Sequence, residues 1–300
     1  MRVPTITLFR MALTDLNDIS EDHARLLKMS GTGVKLLKPS DSPGDAVAQL
    51  RLKRQQTDYN NTSKALTAGV ERLRDAELGM SDANTILQRA KELAIEGANS
   101  AHSDADFDAL TKEADQLINE MLSVGNRQVN GRYIFAGNKT GTKPFVATGS
   151  PPTSVAYNGD TGIQSVSPST GVNIGTTLPG STAFGTSTAG DAFAALISFR
   201  TALQNHDVNA LSTTVSQALD SSADNVGSMV SKVGAASASL SRTVDTLSTT
   251  LVETAASLSK VEDADMVQTV VDLQNNQVRH QAALAAAAKV VQPTLFDQMA

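Results

Sequence analysis

A chain of 300 residues with 40% apolar side chains has enough to bury one large core or two to three ordinary ones, and its net charge of −6, spread without a basic block, argues against a nucleic-acid partner. There is no cysteine and no tryptophan, so disulfide frameworks, Cys-based metal sites and thiol nucleophiles are excluded. No stretch approaches the roughly 18 apolar residues of a membrane span, and the N-terminus MRVPTITLFRMALTDLNDI lacks an apolar run followed by a small-residue cleavage site.

In chain order, Ile6, Phe9, Leu13 and Leu16 recur at 3–4 spacing and continue through Ile19, His23 and Leu26, one stripe of an amphipathic helix. Gly31, Gly33 and Pro39 interrupt it. Ser42, Pro43 and Asp45 then supply the cap, first-turn proline and acid of a new helix start. From Leu66 a heptad places Leu66, Leu73, Met80, Leu87 and Ala94 at one position and Gly69, Ala76, Ala83, Ala90 and Gly97 three residues later. Large residues facing small ones predict a close-packed seam, on a helix of roughly 55 residues and about 80 Å. Gly97 and Asn99 end this helix, and Ser103 with the acids after it starts another.

The stretch NGRYIFAGNKTGTKPF, 130–145, raises the question of a phosphate loop, but Gly131 and Gly137 do not give G-x-x-x-x-G-K-[ST] and no helix start follows Lys139 and Thr140. From 138 to 190 Gly, Ser, Thr and Pro dominate and the period drops toward two. SVAYNGDTGIQSV predicts a hairpin around Asn158–Gly159, and GVNIG a further strand. Helical pattern returns at Asp191 and includes Leu240, Val244, Leu247, Leu251, Leu258 and Val261, then Met266, Val270, Leu273, Gln277, His280 and Leu284. The phase slip between Val261 and Met266 predicts a stutter.

Sites for chemistry are sparse. Asp104, Asp106 and Asp108 resemble the start of a calcium loop, yet Ala109 stands where the turn needs glycine and Asp115 where the loop needs Glu. His23, His102, His206 and His280 have no metal-ligand spacing, and no serine sits in a nucleophile–base–orienter pattern. The sequence calls for no catalytic residue, metal or cofactor.

GRYIFAGNKT followed by PF, together with MRVPT, KPSDSPGDAVAQLRLK, YNGDTG, VGAASASLSR, EDADMVQTVVDLQ and AAAAKVVQPTLFDQM in order, resembles the flagellar hook-associated protein 3 family, which is flagellin-related, over essentially the whole chain. The resemblance implies a structural junction between hook and filament, with hook-associated protein 1, flagellin, an export chaperone and further copies of itself in a ring as partners. It also implies type III export without a cleaved signal, to an extracellular place on the flagellum. Flagellin itself is the alternative, and a coiled-coil signalling protein a more distant one.

The expected fold is mainly α with a small β insertion: an antiparallel helical bundle of paired N- and C-terminal segments, with the middle projecting outward. The expected divisions are an assembly helix and turn at 1–44, helical stalk at 45–137 and 191–265, a β-rich part at 138–190 and an assembly helix at 266–300. Terminal stripes too thin to close a core alone need a partner surface, so Ile6, Phe9, Leu13, Leu16, Val270, Leu273, Leu284 and Leu295 are the candidate assembly residues. Gly131, Tyr133, Phe135 and Gly137 are the candidate crossing from helix to β, with Asn130–Gly131 ending the helix and Tyr133 and Phe135 on one face of a strand.

Overall fold

The structure, a computed structural model, describes residues 3–99, 103–169, 172–186 and 190–291. The chain divides into two compact units, Met1–Asp58 with Thr250–Ala300, and Tyr59–Thr249.

In the first unit, helix α1 (Val3–Thr32) pairs with helix α8 (Met266–Val291). Ser20 meets His280 and His23 meets Asn276, so the two run antiparallel. The start of α2 (Pro43–Gly97) and the end of α7 (Ser216–Glu262) belong to the same unit. Gly33, at φ +71°, stops α1. Val34 then bridges Asp263, and backbone bonds of 2.8 Å join Lys35 to Glu262 and Ala264 to Gly33.

The predicted stutter is a full break between two helices. Asp265 caps α8, its Oδ1 accepting from the Val267 and Gln268 amides at 3.0 and 3.1 Å. A carboxylate cap in the phase gap ends one helix and begins another, where periodicity alone suggested a continuous one.

The second unit holds the main core. The heptad on α2 lies as read: Leu66, Met80, Leu87 and Ala94 are fully or nearly fully buried, as are Ala76, Ala83 and Ala90 three residues along. The small positions receive neighbouring side chains. A Cβ on Gly97 would lie 2.9 Å from Leu203, and one on Gly69 2.6 Å from Thr176. Helix α3 (Asp104–Gly125) opens on a capping box, with Ser103 and Asp106 exchanging side-chain and backbone bonds. That cap accounts for the acidic run that resembled a calcium loop. Helix α5 (Ala192–Gln204), capped by Asp191, packs on α3. The short helix α6 (Val208–Ala210) and a π-helical turn (Leu211–Val215) lead into α7.

Among the described residues the β structure is three separate antiparallel strand pairs: β1–β2 (Gln128–Val129, Arg132–Tyr133), β3–β4 (Phe145–Thr148, Ser154–Tyr157) and β5–β6 (Ser165–Ser169, Val172–Gly175). The short helix α4 (Gly180–Ala183) follows. The hairpin expected around Asn158–Gly159 does not form, because strand Ser154–Tyr157 pairs backward with Phe145–Thr148. The Asn158 amide is instead bonded to the Pro144 carbonyl at 2.7 Å. The GVNIG strand is β6 and pairs with β5.

Candidate assembly faces and the helix-to-β node

The crossing from helix to β is built around buried aromatics. Phe135, Phe145, Phe184 and Phe193 pack with ring centroids 4.7 to 5.5 Å apart, and Tyr157 leans on Phe145 at 5.2 Å. Glycines let the rings approach backbone. A Cβ on Gly125 would lie 2.7 Å from the Phe145 ring, and one on Gly180 2.8 Å from it.

Asn126, directly after α3, ties helix to strand: its Nδ2 donates to the Leu122 and Phe145 carbonyls and its Oδ1 accepts from the Phe145 amide, each at 2.9 Å. Sequence reasoning passed over Asn126, although an Asn following the last helical Gly is a recognisable end signal.

The four junction residues only partly occupy the places expected. Helix α3 has already ended at Gly125, and Asn130 and Gly131, at φ +51° and +74°, form the tight turn of hairpin β1–β2. Tyr133 is the last residue of β2, with its amide bonded to the Thr140 carbonyl at 2.9 Å. Phe135 lies beyond the strand, fully buried, so the two aromatics do not share a strand face. Gly137 does turn the chain, at φ +67°, where a Cβ would collide with Asp160.

The stretch that raised the phosphate-loop question is closed by the protein's own carboxylate. Asp160 Oδ1 accepts from the Asn138 and Gly162 amides at 2.7 and 2.9 Å, and these bonds hold its carboxyl below the usual range. The amide a phosphate would use thus faces a negative charge. Burial pushes the neighbouring Tyr157 phenol above its ordinary value, with its hydroxyl 3.0 and 2.8 Å from the Phe135 and Asp160 carbonyl oxygens. Among the described residues no three His, Asp or Glu side chains converge on a metal position. His206 stacks on Phe107 at 4.5 Å, and His102 lies outside the described residues.

In the helix pair of the first unit the usual distribution of polarity is partly reversed on α8. Its seam holds Leu16, Ile19, His23 and Leu26 of α1 against Thr269, Leu273, Asn276 and His280 of α8, with Thr269 and Asn276 buried. His23 Nδ1 lies 3.1 Å from Asn276 Oδ1, Ser20 Oγ 3.2 Å from His280 Nε2, and the imidazoles stack at 5.9 Å. Apolar side chains meanwhile point out: Met266, Val267, Val270, Val271, Val278 and Leu284 are 41 to 78% exposed.

The candidate assembly residues therefore divide. Leu16 and Leu273 line the seam, while Leu13, Val270 and Leu284 face outward. The side chains of Ile6 and Phe9, and Leu295 altogether, lie outside the described residues. Among those described, no helix is long and apolar enough to cross a membrane.

Two family models match the chain: the bacterial flagellin N-terminal helical region over residues 5–140 and the bacterial flagellin C-terminal helical region over residues 216–295. Flagellar hook-associated protein 3 of Escherichia coli is 28% identical over 146 residues, 48% of this chain and 46% of that protein, so the chain spans about half the length of this relative. Flagellin of Listeria monocytogenes is 26% identical over 100% of this chain and 99% of its own. The crystal structure of flagellar hook-associated protein 3 from Legionella pneumophila superposes with a TM-score of 0.61 at 18% identity, covering 70% of this chain and 98% of that one, a likeness of fold. With both flagellin helical regions in place at its two ends, the chain belongs to the flagellin-related family of flagellar proteins.

Proposed function

We propose that the chain is a structural junction protein of the bacterial flagellum, joining the hook, through hook-associated protein 1, to the flagellin filament. One observation carries this reading: the first unit buries Thr269 and Asn276 while Val267 and Val278 remain 78 and 67% exposed. Exposed apolar side chains in such a run mark a surface that another molecule covers. Leu13, Val270 and Leu284 form that axial surface. The seam residues Leu16 and Leu273 hold its two helices together. The match to hook-associated protein 3 supports the junction role, which requires no catalysis or cofactor. Export through the flagellar type III channel, handling by a chaperone and a ring of copies outside the cell complete the reading.

The full-length match to Listeria flagellin favours one other role, that of filament subunit. Purified chain added to flagellin seeds separates the two. A junction protein adds and stops, and a filament subunit elongates the seeds without limit.

A further inference from the structure

The first unit carries a second outward surface, on α2 instead of α8. Val47 and Leu50 are 68 and 61% exposed, and Arg51 and Arg54 stand beside them on the same helical stripe. The stripe is apolar at its start and basic at its end. Neither arginine has an ion-pair partner among the described residues, whereas nearby Lys53 is held by Glu262 at 2.8 Å. An occupant must therefore be amphipathic and acidic.

The chain has such a stripe of its own on α1. Met11 is 61% exposed, and Thr14, Asp15 and Asp18 follow on the outward face. The spacings are the same: shifting the α1 numbers by a constant sets Met11 on Val47, Thr14 on Leu50, Asp15 on Arg51 and Asp18 on Arg54. In a parallel helix pair these are the positions that meet, giving one apolar contact followed by two Asp–Arg pairs. The match ends at Asp22 and Asp58, where Asp22 is engaged by Arg25 at 3.6 Å. Within one chain both stripes remain open to solvent, so the pairing is not intramolecular.

We propose that the Met11–Asp18 stripe of one copy docks in parallel on the Val47–Arg54 stripe of the next. The two stripes are different surfaces, so each copy offers one and receives one, a head-to-tail contact that closes into a ring or continues as a helix. This rests on the assembly reading above and gives its self-association two defined faces, distinct from the α8 surface.

The absence of cysteine provides a direct test. Full-length Asp15→Cys and Arg51→Cys chains, mixed and oxidised, should form a mixed disulfide at least about tenfold faster than Asn17→Cys with Arg51→Cys, because Asn17 lies off the stripe. Arg51→Glu with Arg54→Glu should weaken association, read by sedimentation, by about tenfold, and adding Asp15→Arg with Asp18→Arg in the same chain should restore it. Equal disulfide rates, or no restoration by the reversed charges, would overturn the pairing. Filament attachment by the unaltered chain in cells is scored separately. If it holds while the disulfide and charge tests fail, the docking faces are wrong and the assembly reading stands. If it fails, the assembly reading is wrong, and the disulfide test still decides whether the two faces meet.

Discussion

Phe145→Ala tests whether the β hairpins are locked into the helical core or merely attached to it. The ring is fully buried and lies 5.1, 4.7 and 5.2 Å from the rings of Phe184, Phe193 and Tyr157. Phe→Ala in a core costs about 3 to 5 kcal/mol, and the cost rises when the site cannot collapse. Here backbone at Gly125 and Gly180 forms two of the walls, and a glycine has no side chain to fill the space. The expected loss is therefore in the upper half of the range, about 4 to 5 kcal/mol. For a unit of this size that is a fall in Tm of roughly 10 to 15 °C. Urea and thermal unfolding followed by helical circular dichroism measure it, with Val146→Ala, one residue along and outward-facing, as a control expected within about 0.5 kcal/mol. A loss below about 2 kcal/mol, or helices that melt as in the unaltered chain, would refute the reasoning. On the same grounds a short linker in place of 138–190 would remove Phe145, Tyr157 and Phe184 from the core and unfold the second unit.

Three further outcomes follow from the geometry. Gly69→Ala gains about 1 kcal/mol of helix propensity but drives a Cβ to 2.6 Å from a Thr176 methyl, and Thr176 is fixed by two bonds to the Gln164 carbonyl. Overpacking at about 1 to 3 kcal/mol prevails, so the melt should fall, and a rise would show that Thr176 can move. Among its described residues the first unit buries few side chains, chiefly Leu26, Ala46, Thr254, Thr269 and Asn276, so limited proteolysis should cut within it before it cuts 59–249; cuts appearing first in the second unit would contradict this. Asp160 has its folded pKa depressed below 3.8, so its contribution is present above that value and lost as pH falls through the folded pKa. Asp160→Asn should therefore reduce the acid sensitivity of the melt below about pH 4, and an unchanged profile would remove Asp160 as a cause.

The parts of the fold that the sequence made legible are those where local pattern and packing agree. Large and small residues alternate on α2 because the helix is gripped on several sides, so Leu66 to Ala94 and Gly69 to Gly97 read directly as core. The α8 face did not read in this way. Its seam holds Leu273 and His280 beside buried Thr269 and Asn276, and its valines point outward, so the periodic stripe mixes Leu273 and His280 with the outward Val270 and Leu284 and passes over Thr269 and Asn276. The outward valines become visible only once α1 is placed opposite. The hairpins were misplaced for another reason. Asn158–Gly159 has the composition of a two-residue turn, yet Gly159 is packed against the Tyr157 ring and the Asn158 amide is engaged by Pro144, tertiary contacts that no short-range pattern reports. Asn130–Gly131 has the same composition and does form the turn, because short strands flank it on both sides.

The junction role is tested most directly by deleting the gene in its own bacterium and viewing the cells by electron microscopy. A junction protein's loss should leave hooks that carry no filament, with flagellin shed into the medium and attachment restored by the unaltered chain. Filaments of normal length on intact hooks in the deletion strain would contradict it.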